Sequence, residues 1–448
     1  MICPITPSLF AWETLEDSPS LKTIKSLLAS IPDGELLSAL RDCRGHGRND
    51  YPVETLWGVV VLTIALRHTS IESCLQELTR NEGLRRIIGI QSESRVPKPW
   101  NMSRFLDVLG QPRHLPLLVK AFNAMVRRLG IGIPTLGVET AGDATGLNAR
   151  NKAEKAAVAE VAQGLPQATG GRKEYTDAEG RVTRILEWFG FKLHLIVDSR
   201  HEVALGYKVT DTKTGDGETL PELLEQARNN LPADRIRTLA YDKAADSNGI
   251  HELLHEAGIK PVIQNRSLWK DECERVIPGR DNIVYDEAGT VYCYDMVSEP
   301  MIRRPMAFIG HEAQRGTLKY RCPACHKDFS CASAGICNVG KKYGLTVRVK
   351  QEQDLRRFPP IPRATKQFER LYRGRTAVER VNARLKVFWG ADDGNITGSR
   401  RFHAFIGAVM LVHLAFATLL ADAGTASGPM GVMDLGKVRD KVIRSTSP

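Results

Sequence analysis

Only one apolar run in this chain of 448 residues is long enough to rival a membrane span, Ala404 to Ala421, and no second run accompanies it. It is interrupted by His413, follows Arg400-Arg401-Phe402 and ends at Asp422, so it is expected to be a buried core helix and not a transmembrane segment. A basic stretch followed by an apolar one is also missing after Met1-Ile-Cys-Pro-Ile-Thr-Pro7, which argues against a secretory signal. Repeats at solenoid periods are absent. Cysteine is sparse: there are nine, an odd number, and four of them cluster, which suits a reducing cytoplasm better than a disulfide framework. Acidic residues are outnumbered, 52 against 62 Lys and Arg, for a formal charge of +10. The cations are spread along the chain and not gathered on one amphipathic segment, so the polyanionic partner expected is nucleic acid, with no membrane.

What remains is ample chain for a large core divided into several domains. Residues 1–130 read as helical and basic. Thr69 or Ser70 can cap a helix whose apolar positions are Ile71, Cys74, Leu75 and Leu78, and short capped helices run on to Leu109. Such a region suits either a DNA-binding helical reader or an ordinary helical bundle. Residues 131–267 change to strands. Pro134 to Thr145 reads as an extended segment ending in a Gly-Asp-x-Thr turn. Residues 151 to 163 read as a helix, and Trp188 to Asp198 alternates, with Phe191, Leu193, Leu195 and Val197 opposite Lys192 and His194. A partner strand, a helix from Asp216, a strand ending at Asp242, a second helix and a further strand make an α/β layered domain. Residues 268–365 are β-rich and hold the cysteine cluster. Residues 366–422 supply the closing helices, and 423–448 form a Gly/Ser-rich tail.

Three carboxylates stand where carboxylates serve poorly as structure. Asp143 and Asp242 are each expected to end a strand. Glu379 falls in Leu371 to Lys386, which reads as one helix with Tyr372, Arg375, Glu379, Asn382 and Lys386 on a narrow face. Val378, Val381, Leu385 and Phe388 make its core-facing stripe. Three carboxylates brought together would repel unless divalent cations held them, and hard oxygen ligands suit Mg²⁺ or Mn²⁺ in a two-ion site for phosphoryl transfer. Taken singly, strand-end aspartates are commonly turn or cap residues.

The spacing of Tyr372, Arg375, Glu379 and Lys386 resembles the Y-R-E-K signature of bacterial insertion-sequence transposases of the DDE class. Gly142-Asp-Ala-Thr145 is similar to that family's first-aspartate motif, Phe189-Gly-Phe-Lys-Leu-His194 to its aromatic strand, and Tyr241-Asp-Lys-Ala-Ala-Asp-Ser247 to its second-aspartate motif. Trp57 through Leu109 is similar to its helical N-terminal domain. Departures are Ala245, where an aromatic is usual, and a weakly apolar segment before Asp143.

The resemblance implies a ribonuclease-H-like mixed sheet flanked by helices, with an all-α N-terminal domain and a β-rich insertion before the last catalytic residue. It implies two-metal cleavage at transposon ends followed by strand transfer. Asp143, Asp242 and Glu379 would be the catalytic ligands of two Mg²⁺ or Mn²⁺ ions. Tyr372, Arg375, Lys386, Lys192 and His194 would contact DNA, and a homodimer would pair the two ends of double-stranded DNA. A metal-dependent nuclease of the same fold and an inactive or domesticated DNA-binding protein are the alternatives.

Cys322, Cys325, Cys331 and Cys337 begin with a knuckle-like pair but space the second pair widely, leaving a structural Zn²⁺ and plain reduced thiols both open. His403 and His413 are expected to be core histidines, and Trp188, Trp389 and Tyr294 to be packing residues.

Overall fold

A computed structural model describes residues 19–45, 50–150, 164–177, 181–271, 273–393, 395–424 and 428–430. The expected helix at 151–163 and nearly all of the expected tail lie outside these residues. The chain divides into two compact units, one of residues 1–137, 143–235 and 377–448, the other of 138–142 and 236–376.

Among the described residues the first unit begins with the α-helices α1 (Pro19–Ser30), α2 (Gly34–Arg44), α3 (Val53–Ala65), α4 (Ile71–Arg80), α5 (Glu82–Ile87), α6 (Pro99–Leu109) and α7 (Leu115–Gly132). Ser70 caps α4 by accepting from the Ser73 amide at 3.1 Å, as its hydroxyl and the following apolar spacing predict. Strand β1 (Glu139–Asn148) passes from the second unit into the first at residue 143, and β2 (Thr169–Thr176), β3 (Val182–Asp198) and β4 (Ala204–Asp211) follow. In the first unit β3 lies between β2 and β1 and also pairs with β4 antiparallel. Helix α8 (Asp216–Asn230) packs on β3 and β4. That packing explains why β3 is not one-sided. Leu193 and Leu195 are buried as expected, but so are His194 between them and Ile196 after them, because α8 covers the second face.

Asp143 lies inside β1 and does not end it. The expected turn is extended backbone, since β1 runs on to Asn148 beside β3. Gly190 of β3 makes that approach possible, because a Cβ there would meet the Leu147 carbonyl oxygen at 1.9 Å.

In the second unit β5 (Thr238–Tyr241) runs parallel to the start of β1, pairing Thr140 with Leu239 and Ala141 with Ala240. Helix α9 (Asn248–Glu256) leads to β6 (Lys260–Ile263), parallel to β5. An antiparallel sheet of β7 (Arg275–Ile277), β8 (Arg280–Tyr285), β9 (Val291–Asp295) and β10 (Ile302–Pro305) follows, then another of β11 (Ala307–Glu312), β12 (Thr317–Arg321) and β13 (Thr346–Lys350). Short helices α10 (Pro323–Lys327) and α11 (Ala334–Cys337) lie between β12 and β13. Ile283, Leu318, Tyr320, Val349 and Phe358 share one buried cluster in this β-rich segment. Helix α12 (Lys366–Arg373) packs on β5 and β6 and closes the unit.

The first unit is completed by α13 (Thr376–Ala383) and α14 (Ser399–Asp422). Helix α14 is the apolar run. It is long and apolar enough to cross a membrane, yet 94% of its most apolar window is buried in protein, against α1, α3, α6 and α7.

Candidate active site

The stretch expected as one helix is broken. Helix α12 ends at Arg373, Gly374 follows, α13 covers Thr376–Ala383, and residues Arg384–Phe388 form a π-helical turn. Glycine at the junction weakens helix continuity, and the wider π turn shifts the phase of everything after it. The narrow face therefore does not persist from Tyr372 to Lys386. Asn382 is buried at 7% exposure and does not share the solvent face of Glu379. The apolar stripe holds for Val378, Val381 and Leu385, which are fully buried, but Phe388 in the π turn is only half-buried.

Glu379 is exposed on α13, and the residues beside it secure that helix. Arg380 donates to the Glu202 carboxylate at 2.5 Å, and buried Arg384 pairs with the other oxygen of the same group. Glu202 is 4% exposed and sits at φ +54° in the turn between β3 and β4, a conformation disfavoured for a side chain of its size. No local motif announces this pairing.

Lys386 reaches back to the strand that carries Asp143. Its Nζ donates to the Gly146 carbonyl at 2.6 Å and pairs with Asp392 at 3.0 Å. Asp392 in turn accepts from the Asn148 amide at 2.6 Å. The π turn after Glu379 is thus tied to β1 three to five residues beyond Asp143, which is half-buried. An ammonium held in this way is available to a phosphate only by exchanging these partners.

In the second unit Asp242 is half-buried directly after β5 and accepts the Lys243 amide at 2.7 Å, opening a single 3₁₀ turn, Lys243–Ala245. Tyr372 stacks on Phe368, with centroids 5.8 Å apart and rings 9° from parallel, and the Arg375 guanidinium lies 5.9 Å from the Tyr372 ring. These contacts hold an aromatic and a cation beside each other at the end of α12.

The aromatic-strand residues behave differently. His194 has no exposed surface, and its nitrogens bond the Thr210 and Thr219 hydroxyls at 2.8 and 3.1 Å. Burial pushes its pKa down to about 4, against the opposing pull of Asp216. A neutral ring inside the core has no face to offer to DNA, so the expected contact is corrected to a packing role. Lys192 is mostly buried and pairs with Asp216 at 2.8 Å while donating to the Thr214 carbonyl at 3.0 Å. It joins β3 to the start of α8.

The cysteine set is also rearranged. Cys325 is exposed, whereas Cys322, Cys331 and Cys337 line a cavity of about 20 Å³ together with Cys293 of β9, which cysteine spacing had not singled out. Burial pushes the Cys293 thiol up to about 12 and raises that of Cys331. Among the described residues no group of three or more His, Cys, Asp or Glu side chains is placed to hold a metal ion. Cys325 nevertheless hydrogen-bonds Cys322 and lies within electrostatic reach of Cys331, so the four expected cysteines and Cys293 share one neighbourhood. The cluster is part of the packing of the β-rich segment.

Residues 140–415 match the model of a protein family described as "Transposase DDE domain". No curated protein matches the chain. Among solved structures, a cryo-EM structure of the piggyBac transposase synaptic complex with hairpin DNA aligns with 96% of this chain and 80% of its own, at 13% identity and a TM-score of 0.39.

Proposed function

The chain belongs to the transposase DDE domain family, and from that premise we propose that it cleaves DNA at the ends of a transposable element and joins those ends to target DNA. The observation that carries this reading is the family match over residues 140–415, which contains Asp143, Asp242 and Glu379 together with Tyr372, Arg375 and Lys386. A ribonuclease-H-like core is supported by strands β3 and β4 pairing antiparallel and by β1, β5 and β6 pairing parallel. The net charge of +10 supports a polyanionic partner.

The proposed metal ligands are Asp143, Asp242 and Glu379, hard oxygen donors of the kind Mg²⁺ and Mn²⁺ take. When bound, two such ions supply Lewis-acid stabilisation to the attacking and leaving oxygens of an in-line displacement. The protein's own task is to carry the carboxylates on rigid elements and to grip the phosphates. Asp143 rides on a strand that lies between β3 and β5 in the sheet order, and Glu379 on a helix anchored through Glu202. Arg375 and Tyr372 serve as a phosphate grip at the end of α12, and Lys386, once released from β1, as a further phosphate contact. The nucleophile is water or a DNA 3′-hydroxyl, so no side chain need be modified. Pairing two ends calls for a homodimer.

The test uses the full-length protein and a duplex carrying the terminal inverted repeats that flank its gene. Asp143→Ala, Asp242→Ala and Glu379→Ala should each abolish Mg²⁺-dependent end cleavage while retaining DNA binding. Cleavage at the unmodified rate in any of the three sinks the site assignment. A donor–target joining assay separates a transposase from a nuclease of the same fold.

A further inference from the structure

Four residues beyond Asp242, and within the same compact unit, lies a carboxylate that the reaction does not use. Asp246 has a fully buried side chain and four donors. Its Oδ2 accepts from the Arg356 guanidinium at 2.8 Å and from the Arg266 amide at 2.8 Å. Its Oδ1 accepts from Arg363 at 3.1 Å and meets the His251 Nε2 at 2.9 Å. Despite its burial, these partners hold the carboxyl below the usual carboxylate range.

The positions of the donors matter as much as their charge. Arg266 lies where the chain leaves β6 for the β-rich segment, and Arg356 and Arg363 lie where it returns. Arg363 also donates to the Ile263 carbonyl at 2.9 Å and to the Arg356 carbonyl at 2.8 Å, so both ends of the segment are fastened at one point. On the other side, Asp246 is joined to Asp242 by the single 3₁₀ turn, with the Ala245 amide bonded to the Asp242 carbonyl at 3.0 Å and the Asp246 amide to the Lys243 carbonyl at 3.1 Å. A turn closed in this way moves as one body. Asp242 stands half-buried at the start of the turn, while Ala245 and Asp246 at its end are buried.

We propose that Asp246 is a positioning residue for Asp242: its buried pairing with Arg356 and Arg363 sets where the Asp242 carboxylate stands and makes that placement depend on docking of the β-rich segment's two ends. The proposal rests on the reading of Asp242 as a metal ligand. Partners that orient a metal ligand typically cost tenfold to a hundredfold in metal affinity or activity when removed.

Asp246→Asn keeps the shape of the side chain but cannot neutralise two guanidinium groups. Bound to its end duplex, this variant should need at least tenfold more Mn²⁺ for half-saturation, followed by electron paramagnetic resonance of free Mn²⁺, and should cleave at least tenfold more slowly with unchanged DNA affinity. Phe358→Leu, in the buried cluster of the β-rich segment, is the control for plain destabilisation. At matched loss of melting temperature it should leave Mn²⁺ affinity unaltered. Equal Mn²⁺ affinity in Asp246→Asn and the unmodified protein, or an equal shift in Phe358→Leu, overturns the proposal. If Asp246→Asn does not fold, Arg363→Gln takes its place with the same two readouts. Undiminished cleavage by Asp242→Ala would instead overturn the premise about Asp242.

Discussion

Lowering the pH from 7 to 5 should destabilise the protein through its buried histidines, and His413 shows why. It lies in the middle of α14 with no exposed surface, and its Nε2 accepts the Ala204 amide hydrogen at 3.1 Å. A ring that accepts at Nε2 while buried must be neutral. Burial, reinforced by the charge of Arg384, lowers its pKa from 6.5 to about 3. Because the folded value lies below the unfolded one, the unfolded chain takes up the proton first as the pH falls. The stabilisation is whole above about 6.5 and drains away toward about 3. At pH 5 the unfolded ring is already about 1.5 units below its pKa, which corresponds to roughly 2 kcal/mol for this one group. His194, lowered to about 4, contributes in the same direction by the same burial. Together they remove roughly 4 kcal/mol, a large part of an ordinary folding free energy. The assay is urea unfolding at both pH values for the unmodified protein and for His413→Gln, whose amide oxygen can still accept from Ala204. The substitution should cut the pH-induced loss by roughly 2 kcal/mol. An equal loss in both proteins refutes the assignment of the acid sensitivity to His413.

Three other perturbations probe the packing and the phosphate grip. Glu202→Ala should cost about 3 kcal/mol in denaturant unfolding, because Arg384 is left buried without its carboxylate; an unchanged midpoint would show that the pair carries no weight. Trp389→Ala, which removes a ring stacked 5.7 Å from Phe416, should lower stability by about 3–5 kcal/mol, read from thermal melts. Arg375→Ala should weaken binding to the end duplex and reduce the slope of log affinity against log salt by about one, whereas an unaltered slope would remove Arg375 from the phosphate contacts.

Most elements could be read from local pattern. Apolar spacing and a capping serine predict α4, an aspartate marks the start of α8, and the apolar run predicts α14 as a core helix, because each signal acts within a few residues along the chain. The proposed ligands Asp143, Asp242 and Glu379 rest on motifs that occur in order along the chain, and the match over residues 140–415 shows the family and not the residues' roles. What the sequence alone determined is therefore the class of protein and the phase of its stripes. Tertiary structure decided the rest. Alternation along β3 marked His194 as outward, but α8 covers that face and makes it core. Uniform helical phase ran through Leu371 to Lys386, but Gly374 and the π turn divide it. Glu202 with Arg380 and Arg384, Asp246 with Arg356 and Arg363, and Cys293 beside Cys322 are paired across gaps of tens to more than a hundred residues. Such pairs leave no periodic trace, since a buried charge or thiol is specified by whatever the fold brings beside it and not by its neighbours in the chain.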